Sequence, residues 1–207
     1  MPLTDRYRPV ALRDFAGLAV PRKVLSAFAR APYSAAWMFL GPSGTGKTTM
    51  ALALGEQIGA QVHHVASRAC DLEAIDRLAQ DCLYYPLDGA KWHLVIVDEA
   101  DQMTRAAQNA LLSKLDSTAG LPNTIWIFTA NDIKGLEERF LSRTRLLYFE
   151  TVAPADGVAY LAHVWHQEGG NGNGPDIGML LERAQGNLRT ALMDLEIELL
   201  ALQEVAA

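Results

Sequence analysis

The sequence predicts an α/β fold: a parallel sheet of five strands with flanking helices, followed by a small all-helical unit. Three observations lead there. Five short apolar runs alternate with amphipathic segments along the first three quarters of the chain. The runs are mostly continuous rather than alternating, which suits strands buried on both faces. After Thr151 no further strand pattern occurs, and only helical spacing remains.

The runs Trp37–Leu40, Val62–Ala66, His93–Val97, Ile125–Ala130 and Leu146–Phe149 are the predicted strands. Lys47–Ile58, Leu72–Leu83 and Arg105–Leu115 are helices between them, suited to right-handed crossovers. Past Thr151, Pro154–Gln167 reads as a helix, ended by the glycine-rich stretch 169–175. Asp176 can cap a helix reaching Ala184, and Asn187 can cap another from Leu188 to near Val205. The expected division is an α/β domain over 1–150 and a helical lid domain over 151–207.

Composition sets broad limits. A chain of 207 residues, 50% hydrophobic and 20% charged, is ordinary for a soluble globular protein. No apolar run approaches the roughly 20 residues of a membrane-spanning helix, and the first residues lack a secretory signal. Cys70 and Cys82 lie 12 apart in a helical stretch and read as buried, inert thiols, consistent with a reducing, cytoplasmic setting. A net charge of −6 supplies no global attraction to nucleic acid, yet local basic groups can hold DNA on an acidic protein. His63, His64, His163 and His166 show no third ligand in the sequence, so no metal site is expected from them.

Gly41-Pro42-Ser43-Gly44-Thr45-Gly46-Lys47-Thr48 carries a phosphate-binding chemistry. Glycines let the backbone curl so that several N–H groups face phosphate oxygens. The helix that starts near Lys47 aims its positive dipole end at the same place. Lys47 is suited to the β- and γ-phosphates of a nucleotide, and the Thr48 hydroxyl to Mg²⁺. The four fixed positions match by chance in roughly one chain of this length in a hundred. A strand before the loop and a helix after it make chance a still weaker explanation.

Asp98 and Glu99 end the third strand, at the edge where parallel sheets hold ligands. Asp98 is placed to hold Mg²⁺ through water, and Glu99 to take a proton from an attacking water. Asp101 is expected to favour the dipole of the next helix.

These residues resemble an AAA+ ATPase, and within that class the clamp-loader subunits of DNA replication, the replication factor C small subunit-like clade. The resemblance covers roughly residues 4–195. Tyr7-Arg8-Pro9, then Leu12-Arg13-Asp14-Phe15 and Gly17, is similar to the family's opening, which lies near the adenine; Leu18 stands where glutamine is usual. Asp98-Glu99-Ala100-Asp101-Gln102-Met103-Thr104, followed by Ala107-Gln108-Asn109-Ala110-Leu111, is the most specific match. The resemblance implies ATP as the nucleotide, held by residues 41–48 together with Thr49.

It further implies roles for three polar residues. Asn131 matches the sensor that orients the hydrolytic water, although asparagine also suits a strand end as a cap. Leu141-Ser142-Arg143-Thr144 is similar to the Ser-Arg-Cys box, which makes Arg143 the arginine finger that reaches a neighbouring subunit's nucleotide. Gly186-Asn187-Leu188-Arg189 resembles the second sensor, with asparagine for aspartate, and Arg189 is expected to contact nucleotide within its own chain. Arg68 and Arg105 fall in regions that face DNA in the family, or are solvated charges.

The resemblance departs at two places. Clamp-loader subunits carry a helical collar after the lid, which this chain is expected to lack, and the four-cysteine zinc module of some bacterial subunits is not matched. Expected partners are other subunits, alike or different, joined through the AAA+ faces, together with DNA and a sliding clamp or other replication protein. The alternative is a nucleotide-gated recruitment module that polymerises on DNA or a protein with slow turnover. The stripe Leu192, Leu195, Leu199, Leu202 has the spacing of lid packing.

Overall fold

The computed structural model describes residues 1–86, 89–116, 120–170 and 174–205. In chain order the elements are α1 (Leu3–Arg6), α2 (Ala19–Arg30), β1 (Ala35–Leu40), α3 (Lys47–Ile58), β2 (Ala60–Ala66), α4 (Leu72–Asp81) and β3 (Trp92–Asp98). They continue with α5 (Arg105–Leu112), β4 (Thr124–Ala130), α6 (Glu138–Leu141), β5 (Arg145–Tyr148), α7 (Pro154–Gln167), α8 (Ile177–Arg183) and α9 (Leu188–Val205). The five strands form one sheet in the order β2-β3-β4-β1-β5, and every adjacent pair is parallel. The predicted fold class is therefore observed.

Strand burial divides the sheet into centre and edge. β1, β3 and β4 are buried along almost their whole length, as their unbroken apolar runs require. β2 and β5 are the edges, and β2 alternates half-buried with exposed residues. Continuous burial thus holds only for the three central strands. β5 begins at Arg145 rather than Leu146, because Trp37 of β1 pairs with Arg145, and the Phe149 amide still bonds the Leu40 carbonyl at 2.7 Å.

Neighbouring residues on a strand point to opposite faces. Met38, Val95, Val97, Trp126 and Phe128 pack against Ile75, Leu78, Leu111 and Phe140 on the side of α4 and α5. Trp37, Phe39, Leu94, Ile96 and Ile127 pack against Leu25, Phe28, Met50 and Leu54 on the side of α2 and α3. Helix α2 was not anticipated, although Pro21, Leu25 and Phe28 have the spacing of one buried face. Proline in the first turn of that helix is a second signal for it.

A third cluster joins Leu161, Val164 and Trp165 of α7, Leu180 and Leu181 of α8, and Leu192, Leu195 and Leu199 of α9. The leucine stripe of α9 is therefore packing for its first three members, while Leu202 is exposed. Leu3 of α1 belongs to this cluster too, so the chain's first turn leans on the helical segment rather than on the sheet. The caps expected of Asp176 and Asn187 are both made, to the Met179 amide at 3.0 Å and to the Arg189 and Thr190 amides. The glycine-rich break separates α7 from α8 as expected; its middle, 171–173, lies outside the described residues.

One helix boundary differs from expectation. Asp101 lies in a short 3₁₀ turn, Ala100–Gln102, and the N-terminus of α5 is capped by the Thr104 hydroxyl, which accepts from the Ala107 amide. A hydroxyl two residues before the second helical position is better placed than a carboxylate one turn earlier.

Candidate nucleotide site

The loop from Gly41 to Gly46 leaves the C-terminal end of β1 and turns into α3. A side chain at Gly41 would place its Cβ 1.9 Å from the Phe149 carbonyl oxygen, so only glycine lets the loop pass β5 there. At Gly44, with φ +76°, a Cβ would collide with the Asn187 side chain. Asn187 donates through Nδ2 to the Ser43 carbonyl at 3.0 Å, so the cap of α9 is also a direct link between the helical segment and the loop.

Lys47 is buried, and its ammonium donates to the carbonyls of Gly41 at 2.6 Å and Pro42 at 2.8 Å and to Asn131 Oδ1 at 3.2 Å. Burial lowers its pKa, opposed first by Asp101 and then by Asp98. Asp101 has one carboxylate oxygen buried without a hydrogen-bond partner among the described residues. Its charge is the largest of those favouring the protonated lysine, and it also lies in the first turn of the 3₁₀ helix.

Asp98 is the hub of the acidic side. Its Oδ1 accepts from the hydroxyls of Thr48 at 2.7 Å and Thr129 at 2.9 Å, and its Oδ2 meets the ring Nε2 of His64. Two hard oxygen donors, Thr48 Oγ1 and Asp98 Oδ1, so close together at the head of α3 fit an Mg²⁺ that keeps several of its waters. Glu99 is exposed and holds the left-handed conformation, φ +55°, which is uncommon outside glycine and recurs at functional sites. Its amide donates to Thr129 Oγ1 at 3.1 Å and its carboxylate accepts from Gln102 at 3.0 Å.

Two adjoining cavities make one cleft between the sheet and the helical segment. The first, of about 270 Å³, is lined by Tyr7, Arg8 and Pro9, by Thr45, and by Leu18 and Tyr160. The second, of about 490 Å³, is lined by Ser43, Lys47, Thr48, Asp98, Glu99 and Asn131. Arg8, Gly44, Gly46, Thr49 and Arg189 border both. An apolar chamber opening into a polar, amide-rich one matches a base beside a phosphate chain. Gly41 and Pro42 support the loop from behind, through the carbonyls that Lys47 bonds.

Arg143 stands apart. It lies just before β5, at the N-terminal edge of the sheet, beside Ser34, Lys114 and Arg145. Its Nη1 donates to the Arg139 carbonyl at 2.9 Å, and its Nε is buried without a partner among the described residues. The length of a strand, roughly 20 Å, separates that edge from the phosphate loop.

Sequence reasoning did not single out Thr129, and it anticipated neither the Asp98 contact of His64 nor the Ser43 contact of Asn187. Thr129 follows Phe128, which pairs with Val97, so it faces Asp98 only once the β3–β4 register is known. His64 reaches Asp98 across the β2–β3 pair, where Ala66 is the residue opposite Asp98.

A glycine-lined loop at the head of a parallel sheet, acids on the adjacent strand and a helical segment closing the cleft define a P-loop nucleotide-binding protein. The family model for the ATPase family associated with various cellular activities (AAA) matches residues 37–151, and the chain belongs to this family. It is similar to replication factor C small subunit 2 of Pyrobaculum arsenaticum, 32% identical over 93% of this chain and 62% of that one. The protein of the same name from Pyrobaculum aerophilum is 31% identical over the same shares. Replication factor C subunit 4 of Arabidopsis thaliana is 28% identical over 94% of this chain and 62% of its own length. The chain thus spans about three fifths of these relatives, and the resemblance to the clamp-loader clade stands on sequence. In fold it is similar to a mutant of Thermotoga maritima RuvB, with TM-score 0.73 and 17% identity over 89% of this chain and 63% of that one. Among the described residues no helix is long and apolar enough to cross a membrane.

Proposed function

We propose that the chain binds ATP with Mg²⁺ in this cleft and hydrolyses it as one subunit of an oligomer that acts on DNA in the manner of a clamp loader. The observation that carries the reading is the convergence of Lys47, Thr48, Asp98, Glu99, Asn131 and Arg189 on one cleft while Arg143 lies at the other edge of the sheet. An arginine roughly 20 Å from its own phosphate loop serves catalysis only in a neighbour's cleft. Its Nε, buried and without a partner among the described residues, supports that reading, because a buried guanidinium donor without an acceptor is costly until something meets it.

In this mechanism the loop amides and Lys47 hold the β- and γ-phosphates, exchanging the carbonyl contacts that Lys47 makes now. Thr48 directly and Asp98 through water would hold Mg²⁺, which would neutralise charge on the phosphate oxygens. Glu99 takes the proton of the attacking water, and Asn131, beside Lys47, orients that water. Arg189 at the start of α9 contacts the nucleotide from the lid, and Arg143 of an adjacent copy stabilises charge on the transferred phosphoryl group. Residues 1–150 and 151–207 are the two units that close on the nucleotide, with residues 3–7 bridging them. Arg68, which donates to Gln102 at 3.3 Å, and Arg105, paired with Glu137 at 3.2 Å, are exposed cations that the DNA reading would use.

The test is ATP turnover measured alone, with primed DNA, and with candidate clamp or loader partners. Strong stimulation by primed DNA supports the clamp-loader reading. ATP-dependent filaments with slow turnover, unaffected by primer junctions, would replace it with a recruitment module.

A further inference from the structure

The sheet edge farther from the nucleotide gathers three side chains that the ATPase reading does not use. His63 of β2, His93 of β3 and Cys82, at the C-terminal end of α4, bring their ligating atoms within 4.8 Å of one another. Cys82 and His93 are almost wholly buried, while His63 is half-buried and leaves a path from solvent. His63 Nε2 and His93 Nδ1 are 3.0 Å apart. The other nitrogen of His93, Nε2, lies 2.8 Å from the Tyr84 carbonyl, which can only accept. His93 therefore carries its proton on Nε2 and turns the Nδ1 lone pair toward His63 and Cys82. A backbone carbonyl that fixes the tautomer of an imidazole in this way is the usual outer support of a metal-bound histidine.

We propose that His63, Cys82 and His93 form a structural site for a borderline-soft divalent transition-metal ion, zinc foremost, that ties β2, β3 and the end of α4 together. Imidazole and thiolate are the ligands such ions prefer. In a tetrahedral site, nitrogens about 2.0–2.1 Å from zinc stand roughly 3.3 Å apart, and a thiolate stands roughly 3.5 Å from each. The pair of nitrogens is already close to this, and the widest separation in the set closes by about 1 Å of side-chain movement. Burial and the neighbouring His93 lower the pKa of His63, which favours its neutral ring, and the ion would replace the proton that His63 Nε2 shares with His93 Nδ1. Burial pushes the Cys82 thiol up to about 11, against a hydrogen bond with Thr124. The ion would supply the charge that deprotonates it. Three protein ligands leave the fourth position to water.

His93 precedes Asp98 by five residues of β3, roughly 17 Å, and His63 faces the opposite side of β2 from its neighbour His64, which meets Asp98, so this site lies on the other face of the sheet from that contact. The bland account is a histidine pair satisfied by its own hydrogen bond beside an inert thiol, and it makes the opposite forecast for metal. Chelator-stripped protein is titrated with Co²⁺ and the cobalt is then displaced by Zn²⁺. One equivalent should bind with a near-ultraviolet thiolate-to-cobalt charge-transfer band. That band should vanish in Cys82→Ser, persist in Cys70→Ser, and need at least about tenfold more cobalt in His63→Gln. Lys47→Ala should keep it, which separates this proposal from the ATPase reading. Wild-type protein without a thiolate band, or a band that survives Cys82→Ser, overturns the site whatever the variants' folding.

Discussion

Lys47 holds its ammonium among two loop carbonyls and Asn131, a position already shaped for phosphate oxygens. Charge-assisted hydrogen bonds of this kind contribute about 1.5–3 kcal/mol each. Lys47→Ala should therefore weaken ATP binding by about a hundredfold or more, read by fluorescent-nucleotide titration. Glu99→Gln keeps the size and the Gln102 contact but loses the proton acceptor. It should bind ATP normally while turnover falls about 10²–10⁴-fold, and normal turnover would reject Glu99 as the base. Gly41→Ala drives a Cβ into the Phe149 carbonyl and should lower stability by about 1–3 kcal/mol, measured by denaturant unfolding. The identity of each of these residues was legible in the sequence because the phosphate loop and acidic box are contiguous. Thr129 and His64 were not, because their role exists only through strand register.

Asn187 shows how an element boundary becomes part of the site. Its Oδ1 caps α9 while its Nδ2 bonds Ser43 on the phosphate loop, so one amide both starts the helix and fastens it to the loop. Asn187→Ala should cost about 1 kcal/mol of stability through the lost cap. It should also raise the KM for ATP, whereas a residue that only capped the helix would leave KM unchanged. The sequence announced this cap through its residue type and position, as it did for Asp176. It did not announce the loop contact, which joins residues 144 apart in the chain. Edge strands were the other blind spot. An apolar run in β2 looks the same whether one or two neighbours flank it, and only the strand order shows that β2 and β5 are open on one side.

At the scale of the molecule, the cleft and Arg143 sit at opposite edges of one parallel sheet. In the proposed assembly one subunit's edge would meet the next subunit's cleft, so binding and hydrolysis should separate on mutation. Arg143→Ala should leave ATP affinity of the isolated chain within about twofold and reduce turnover of the assembly about 10³-fold, the scale of an arginine finger. Mixing it with Lys47→Ala should restore part of the activity, since each variant supplies what the other lacks. No rescue at any ratio would argue that the cleft is complete within one chain.

The sequence by itself determined the parallel α/β sheet, the phosphate loop, the acidic pair and the caps of the last two helices. These depend on periodicity and on residues within a few positions of one another, so short-range physics specifies them. The tertiary structure decided the strand order, the partners of Asp98, the fastening of α9 to the loop and the meeting of His63, Cys82 and His93. Those depend on register and packing between distant segments, which are settled only when the whole core closes at once.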